Sequence, residues 1–334
     1  MVSVVMPAYN AARFIDPAIE SIRAQTLRDW ELIVVDDRST DDTAARADRH
    51  AREDARIRVV RADKGGISRS INRGIAESRG TWVAIMHADD VAMPERLAKQ
   101  RAAAAASPEV VAWGCFAQHI GPTGRVLSLS QTGPTSVAEF RRLRAAGDDV
   151  HMLHPTAFLR KDVVLKVGGY DPAFDGAEDF ELFDRMAEVG PIVVLPEPLL
   201  LYRVHASSVS MQQHFKILKY AHFVKARQKA RLKGQPLTYA QFEQAYDHQP
   251  LLRRVDRGAD QLSRLYYRTA GMAFGNGSYV RAVRYLIASG ILRPQYCLPR
   301  VWAQFLSPAA RSATRRAANG AAAAKPADGA QPSA

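Results

Sequence analysis

The chain has 334 residues, of which 47% are hydrophobic and 24% are charged, so it can form one large domain and a smaller one. Its two cysteines, Cys115 and Cys297, exclude a disulfide framework, and no stretch approaches the roughly 20 apolar residues that span a bilayer. No signal peptide is recognisable before the first strand, so we expect a cytoplasmic protein.

Charge is distributed unevenly along the chain. From Lys216 onward there are 20 Lys and Arg against 5 Asp and Glu, whereas the first 215 residues carry 26 against 29. One interpretation is that the basic part, through its predicted helix over 215–233, binds peripherally to the anionic inner face of the cell membrane. The other is that it forms a solvated basic helical surface. No nucleic-acid recognition motif accompanies the charge, so we expect no specific nucleic-acid partner.

Short apolar segments and helical patterns alternate in the N-terminal part of the chain. The apolar segments, which have the length of buried parallel strands, are 2–6, 31–35, 57–60 and 81–86. Between the first two, Ile15, Ile19 and Ile22 recur at helical spacing, with Asp16 as the expected N-cap. This alternation predicts an α/β fold whose parallel strands are joined by right-handed crossovers.

The pattern continues to residue 210, and the rest of the chain is helical. Further helices are predicted over 94–106, 137–145, 161–167 and 178–189, and strands over 110–120, 126–129, 192–195 and 199–202. Beyond residue 210 the predicted helices are 215–233, 262–274 and 279–292. From residue 307 the composition is rich in Ala, Pro, Gly and Ser. We therefore expect a first domain over 1–210, a helical region over 211–306 and a disordered tail over 307–334.

Polar residues follow the first two predicted strands. The segment SVVMPAYN ends in a loop where Tyr9 can lie against a base, and VVDDRSTD places two carboxylates after the second strand. The carboxylate of Asp37 can accept a hydrogen bond from the imide N–H of a uracil or thymine ring. The other polar residues of this segment, interpreted as helix-capping and first-turn residues, are Ser39, Asp41 and Asp42.

Two further acidic motifs stand at a strand end and at a helix start. Asp89 and Asp90 follow an apolar strand in MHADD, where carboxylate oxygens suit a Mg²⁺ or Mn²⁺ ion that bridges to a diphosphate. Asp179, in GAEDFE, begins an amphipathic helix and has the chemistry of a general base. Each acid alone is equally explained as a capping or first-turn residue. Four such motifs in order are much more specific than any one of them.

The order of these motifs resembles that of family 2 glycosyltransferases with the GT-A fold, a Rossmann-like and mostly parallel sheet. The matching segments within residues 1–210 are SVVMPAYN, SIRAQTLRDWELIVVDDRSTDDT, INRGIAESRG, TWVAIMHADD, HPTAFLRKDVVLKVGGYD, AEDFELFDRM and LYRVHASSVS. The resemblance implies a catalytic domain over 1–210 that transfers a sugar, with inversion, from a nucleotide diphosphate (UDP by expectation) to an acceptor hydroxyl. It implies a glycan or lipid-linked acceptor, and a role in assembling cell-surface glycans or polysaccharides.

The resemblance also implies roles for individual residues. Those that would bind the nucleotide sugar are Pro7, Ala8, Tyr9, Asp37 and Asp89. Asp90 would be the direct ligand of Mg²⁺ or Mn²⁺, with His205 beside the same metal, and Asp179 would be the general base. Two further histidines, His151 and His154, have helical i, i+3 spacing and are expected to be structural.

The sequence departs from the family pattern in two motifs, and two other functions compete with the transferase. QKARL lacks the Trp of the Gln-x-x-Arg-Trp motif found in processive members, so we expect a non-processive enzyme. The acidic motif is HADD in place of Asp-x-Asp, which weakens the metal prediction only slightly. A nucleotidyltransferase would need a Gly-rich phosphate loop after the first strand, which PAYN does not provide. The remaining alternative is a catalytically inactive GT-A-like module that docks on a membrane or another anionic partner through its basic helices.

Overall fold

The computed structural model describes residues 1–63, 65–148, 150–205 and 208–302, without the side chains of Val209 and Ser210. The chain divides into two compact units, Met1–Pro250 and a second unit that begins at Leu251. The first unit extends past residue 210, so the first helices of the predicted helical region belong to it. The domain boundaries stay predictions, and the tail predicted over 307–334 lies outside the described residues.

A nine-stranded sheet forms the centre of the first unit. Its strands are β1 (Val2–Ala8), β2 (Trp30–Asp36), β3 (Ile57–Arg61), β4 (Trp82–Ile85), β5 (Val91–Ala92), β6 (Ala112–Ile120), β7 (Val126–Ser130), β8 (Phe158–Arg160) and β9 (Ile192–Arg203). Their order is β3-β2-β1-β4-β8-β6-β9-β5, with β7 beside β6. The first four are parallel where they pair, β8 is antiparallel to β4 and β6, and β9 is parallel to β6.

Helices cover both faces of this sheet, as expected for the predicted α/β class, which is confirmed. They are α1 (Ile15–Arg23), α2 (Thr43–Glu53), α3 (Ile67–Glu77), α4 (Arg96–Ala106), α5 (Val137–Ala145), α6 (Lys161–Lys166), α7 (Glu178–Met186), α8 (Val209–Gln212), α9 (His214–Leu232) and α10 (Tyr239–Asp247). Because side chains alternate along a strand, Val4 and Met6 of β1 join one apolar core and Val5 joins the other. The sheet is therefore buried on both faces, and only its edges and strand ends are available for a site.

The start of α1 differs from the prediction. The helix begins at Ile15, so Asp16 lies inside its first turn and does not cap it. The Asp16 carboxylate instead accepts hydrogen bonds from Arg46 and Arg49 of α2, and lies 3.0 Å from Nε2 of His50. Basic partners on a neighbouring helix thus determine the role of this acid.

In β9 the two strands predicted over 192–195 and 199–202 form one continuous strand, with register shifts against β6 near Phe116.

The basic helix α9 is fixed to the rest of the first unit by apolar contacts and by ion pairs. Its buried apolar residues, which share a cluster with Phe174, are Tyr220, Phe223 and Val224. Asp184 of α7, whose side chain is 1% exposed, pairs with Arg144, Arg227 and Arg231. The two arginines that α9 contributes are therefore paired with α7, the helix whose first turn contains the candidate base.

The second unit is helical over its described residues, which confirms the predicted helical C-terminal region. It contains α11 (Leu251–Gly275), α12 (Tyr279–Leu292) and α13 (Pro294–Val301). The first two pack against each other as an antiparallel pair, joined by a short turn in which Gly277 has a φ of 75°. Among the described helices of the whole chain, none combines the length and the apolar character needed to cross a membrane.

Candidate active site

The carboxyl ends of β1 and β2 place the predicted nucleotide-binding segments side by side. Ala8 is paired with Asp36, and the N–H of Asp37 donates to the carbonyl oxygen of Ala8 at 2.9 Å. Asn10 and Arg38, just beyond each strand, both have positive φ angles, of 49° and 59°. These turns let the two loops meet directly, at the sheet edge where open α/β sheets bind ligands.

The two loops are joined by side-chain hydrogen bonds. The Asn10 amide oxygen accepts from the N–H of Thr40 at 2.8 Å, and the N–H of Asn10 donates to the Ser39 hydroxyl at 3.0 Å. Asp41 accepts from the N–H of Ala12 at 3.1 Å. Ser39 and Asp41 therefore connect the two loops. They do not cap α2 or lie in its first turn as predicted, because the helix begins at Thr43 with Asp42 at its N-cap position and without a side-chain capping hydrogen bond.

Asp37 is buried and already has two main-chain partners. Its carboxylate accepts from the N–H of Gly65 at 2.9 Å and from that of Gly66 at 3.1 Å. Gly66 has a φ of 85° and lies against Asp175, which accepts from the N–H of Ser68. A carboxylate has about four acceptor positions, so Asp37 keeps capacity for an imide N–H. A direct contact of Asp37 with a base stays a prediction.

Pro7, Ala8 and Tyr9 lie at the end of β1, next to Asp37. Pro7 is partly buried and Ala8 buried, so they present main chain and not a large side chain at this edge. The Tyr9 ring is 48% exposed, which leaves a face on which an aromatic base can lie. The structure therefore brings Pro7, Ala8, Tyr9 and Asp37 together, and their contact with a nucleotide stays a prediction.

The acidic motif follows β4 at the centre of the sheet. The N–H of Met86 donates to the carbonyl oxygen of Val5 at 3.0 Å, which aligns the motif with the end of β1. Asp90 is 0% exposed. Its Oδ1 accepts from the N–H of Arg203 at 2.7 Å, whereas no described residue offers Oδ2 a hydrogen bond. A buried carboxylate oxygen without a partner is costly, which points to a ligand for it.

Burial makes the charge of Asp90 unfavourable. Burial raises the pKa of Asp90 well above its ordinary value, the negative charge of Asp89 raises it further, and Arg203 and Arg96 oppose the effect. Arg96 is itself completely buried beneath the motif and donates to the carbonyl oxygen of Ile85 at 2.9 Å. The protein therefore places two buried cations, Arg96 and Arg203, near Asp90, whereas Oδ2 has no hydrogen bond from a described residue.

Arg203 and His205 hold the other acid of the motif. The Arg203 guanidinium donates to the carbonyl oxygen of Asp89 at 2.7 Å, and the Asp89 carboxylate lies 3.0 Å from Nε2 of His205. Burial opposes ionisation of Asp89, but the contacts with His205 and His87 outweigh it and lower the pKa of Asp89. His205 thus contacts the acidic motif through the Asp89 carboxylate, and its direct contact with a metal stays a prediction.

His87 is a functional candidate that the sequence interpretation did not single out, although it belongs to the quoted motif. One ligand atom each from His87, Asp89 and Asp90 lie within 4.8 Å of one another. The Nδ1 of His87 is 3.9 Å from Oδ2 of Asp90, the oxygen without a hydrogen bond. An imidazole nitrogen and two carboxylates suit a divalent cation such as Mn²⁺, so these residues fit the predicted metal.

A row of polar contacts leads from this motif to α7. The Nε2 of His87 is 3.2 Å from Nδ1 of His154, whose Nε2 is 2.9 Å from the hydroxyl of Tyr170. His154 also lies 3.7 Å from the Glu178 carboxylate. Burial lowers the pKa of His154 well below its ordinary value, so the ring is neutral. His154 therefore contacts both His87 of the acidic motif and Glu178, the residue before the candidate base, and its structural role stays a prediction.

Asp179 lies in the first turn of α7, beside His151 and Glu178. Its Oδ1 accepts from the N–H of Phe180 at 2.8 Å, and its Oδ2 is 3.9 Å from Nε2 of His151. The His151 ring is stacked on Phe180 at 3.8 Å, and burial lowers the pKa of His151 to about 3. Burial and the adjacent Glu178 raise the pKa of Asp179 well above its ordinary value.

This environment suits a base that must capture a proton. A raised pKa makes Asp179 a stronger proton acceptor than an exposed aspartate, and catalytic carboxylates are commonly adjusted in this way. Burial also raises the pKa of Glu178 to about 7, and Glu178 accepts from the N–H of Gly176 at 2.6 Å. The role of Asp179 as catalytic base stays a prediction.

Family models match most of the first unit. The model described as glycosyl transferase family 2 matches residues 3–168, and one described as glycosyltransferase like family 2 matches residues 149–246. Among curated proteins, the O-antigen biosynthesis glycosyltransferase WbnJ of Escherichia coli is 29% identical over 214 residues, 62% of this chain and 81% of that protein. The chain spans only 30% and 15% of the lengths of two other curated relatives.

Solved structures share the fold. S. aureus TarS 1-349 in complex with UDP has a TM-score of 0.54 and 16% identity, with 87% of this chain and 90% of that chain covered. The mannosyltransferase PcManGT from Pyrobaculum calidifontis, in complex with GDP-Man and Mn²⁺, has a TM-score of 0.53 and 20% identity, with 97% and 85% covered. The fold is the one expected from the GT-A resemblance. On its sequence matches and its fold, the chain belongs to glycosyl transferase family 2.

Proposed function

We propose that the protein is a metal-dependent, inverting and non-processive glycosyltransferase that moves a sugar from a nucleotide diphosphate to an acceptor hydroxyl. The observation that carries the proposal is the buried Oδ2 of Asp90, which has no hydrogen bond from a described residue and lies 3.9 Å from Nδ1 of His87. An inactive module would have no use for this costly arrangement. A bound cation and diphosphate would offset the cost of burying this oxygen without a partner.

The donor would bind along the ends of β1, β2 and β4. Tyr9 and Asp37 would contact the base, with Pro7 and Ala8 below it, and Asp89 would orient the ribose or the diphosphate. Mg²⁺ or Mn²⁺, held by Asp90 with Asp89 and His87, and with His205 nearby, would supply positive charge to the leaving diphosphate. UDP is the expected nucleotide. TarS, solved with UDP, supports a uridine nucleotide as donor, whereas PcManGT, solved with GDP-Man, supports a guanosine nucleotide.

Asp179 would act on the acceptor. In an inverting displacement the acceptor oxygen forms a bond to the anomeric carbon while the bond from that carbon to the diphosphate oxygen breaks on the opposite face. The hydroxyl proton passes to the Asp179 carboxylate, and the electron pair of the broken bond leaves with the nucleotide diphosphate. The neutral His151, 3.9 Å from Asp179, would limit the positions that the carboxylate can occupy.

The acceptor is proposed as a glycan or a lipid-linked glycan in the assembly of cell-surface polysaccharide. The name of WbnJ, a protein of O-antigen biosynthesis, supports this class of pathway. A cytoplasmic enzyme with peripheral contact to the anionic inner face of the membrane would meet both a soluble donor and a lipid-linked acceptor. The processive alternative is disfavoured because QKARL lacks the Trp of the processive motif.

Release of nucleotide diphosphate from a panel of UDP-, GDP- and dTDP-sugars, with Mn²⁺ and with excess chelator, tests the reaction class. We expect release from one donor type, and its loss when the metal is removed. Proton NMR of the released or transferred sugar then tests inversion, since the product must have the anomeric configuration opposite to that of the donor. Retention of configuration would reject the inverting mechanism, and release without any metal would reject the cofactor.

A further inference from the structure

The second unit has an unusual distribution of side chains. The residues buried between α11 and α12 are small or polar: Ser263 and Ser289 are both 0% exposed, and each hydroxyl donates to the main-chain oxygen of the other residue, at 3.0 and 2.8 Å. Ala270 and Ala282 are buried as well. The centre of the helical pair is therefore held together by close approach of small residues, with ring contacts such as Tyr266 with Tyr285 at 5.7 Å beside it.

The large apolar residues of α12 point the other way. Val280 and Ile291 are each 78% exposed, and Val283 and Ile287 are exposed by more than half. Their spacing places all four on one side of the helix, opposite Ala282 and Ser289. A surface helix normally directs such a stripe towards a core, so this one needs a partner other than the described residues.

We propose that this side of α12 binds peripherally to an anionic lipid bilayer. The hairpin surface, as we name it, consists of Val280, Val283, Ile287 and Ile291, with the exposed Arg281 and Arg284 beside them. Residues 251–302 contain nine arginines and two aspartates, with no lysine or glutamate. An apolar stripe flanked by cations is the arrangement by which amphipathic helices enter the headgroup region of anionic membranes.

The dimensions of α12 favour a helix that lies flat in the interface. Its 14 residues extend about 21 Å at about 1.5 Å per residue, which is less than the roughly 30 Å of a hydrocarbon core. The short helix that follows also exposes Leu298, and Trp302 beyond it is exposed as well. Tryptophan is enriched at the boundary between headgroups and hydrocarbon.

The inference moves the predicted membrane contact away from the basic helix α9. The apolar side of α9 is buried with Phe174, and its Arg227 and Arg231 are paired with Asp184. Charge alone favours α9, because the sequence does not reveal which basic residues have acidic partners. The new assignment deepens the membrane contact proposed above but does not depend on the transfer reaction.

Flotation of the full chain with vesicles tests the proposal. We expect binding to vesicles of phosphatidylcholine with phosphatidylglycerol, and at least tenfold weaker partitioning to phosphatidylcholine alone. Val283→Asp with Ile287→Asp should lower partitioning to the anionic vesicles at least tenfold. Arg281→Glu with Arg284→Glu should lower it mainly at low salt. Leu165→Asp, an equally exposed leucine on α6 of the first unit, is the matched control and should bind like the wild type.

The competing occupants of the hairpin surface give different results. If a second copy covers it, the wild type sediments as a dimer, Val283→Asp with Ile287→Asp sediments as a monomer, and flotation is unchanged. If residues 303–334 cover it, only a chain that ends at Trp302 floats with anionic vesicles. Either result overturns the proposal. Nucleotide binding, measured on the same variants, should remain normal, so failure here is distinguishable from failure of the proposed reaction.

Discussion

The main-chain N–H of Arg203 donates a 2.7 Å hydrogen bond to Oδ1 of Asp90, although 113 residues separate the two in sequence. Through this bond the end of β9 orients the buried acid so that its Oδ2 is the oxygen without a partner among the described residues. The Arg203 side chain holds the main chain of Asp89 in the same place. The proposed metal site is thus assembled by two distant strand ends.

Removal of the Asp90 carboxylate should abolish stabilisation by metal. At a Mn²⁺ concentration about 100 times the dissociation constant, the wild type should gain about 2.7 kcal/mol in the free energy of unfolding, whereas Asp90→Ala should gain nothing. Thermal unfolding with and without Mn²⁺ measures both. An equal rise in the melting temperature of Asp90→Ala would show that the ion binds elsewhere.

His87→Ala tests the residue that the sequence interpretation left unassigned. Loss of one nitrogen ligand should weaken Mn²⁺ binding by at least tenfold and reduce the preference for Mn²⁺ over Mg²⁺, because magnesium favours oxygen ligands. Calorimetric titration of both ions into the wild type and the variant gives the two ratios. An unchanged preference would mean that His87 serves only as a partner of His154.

Asp179→Asn should remove the base and leave donor binding nearly intact. We expect kcat to fall about 10²–10⁴-fold, the usual contribution of a general base, with the dissociation constant of the donor changed less than threefold. Asp171→Asn, an exposed acid that caps the short helix before α7, makes the same charge change and should leave kcat unaltered. Normal turnover by Asp179→Asn would remove Asp179 from the mechanism.

Glu178→Gln should change how stability depends on pH. The pKa of Glu178 rises from 4.5 to about 7 on folding because the group is buried, so between these values the folded state binds more protons than the unfolded state. The free energy of unfolding therefore falls as pH rises through this window, by up to about 3 kcal/mol. Denaturant titrations at pH 5 and pH 8 should show a smaller loss for Glu178→Gln. An identical loss in both proteins would contradict the raised pKa.

Asp184→Ala should release α9 from α7. Asp184 is buried and pairs with Arg144, Arg227 and Arg231, and removal of one partner from a buried ion cluster costs about 3–5 kcal/mol. Asp162→Ala, which breaks an exposed pair with Arg160, should cost about 1 kcal/mol or less. Denaturant titration of the two variants compares them, and similar losses would refute the structural role of Asp184.

Periodic patterns predicted the fold well, and long-range contacts account for what they missed. The helices over 137–145 and 279–292 have the predicted bounds because their apolar spacing and flanking residues are local signals. The sequence predicts Asp16 as the N-cap of the first helix, but its side chain pairs with basic residues of another helix. The role of Arg203 depends on a hydrogen bond to Asp90, which is 113 residues away in sequence, and no local pattern predicts it. The PAYN loop and the three acidic motifs were found because each follows a strand or begins a helix.

The most direct test of the central claim is calorimetric titration with UDP, GDP and dTDP, each with and without Mn²⁺, on the wild type and on Asp90→Ala. A family 2 glycosyltransferase with the proposed site should bind one nucleotide tightly with Mn²⁺, lose that binding without the metal, and lose it again in the variant. If the folded wild type binds none of the three, or binds one equally well without metal and in Asp90→Ala, the proposed metal-dependent transferase is contradicted and an inactive binding module becomes the better account.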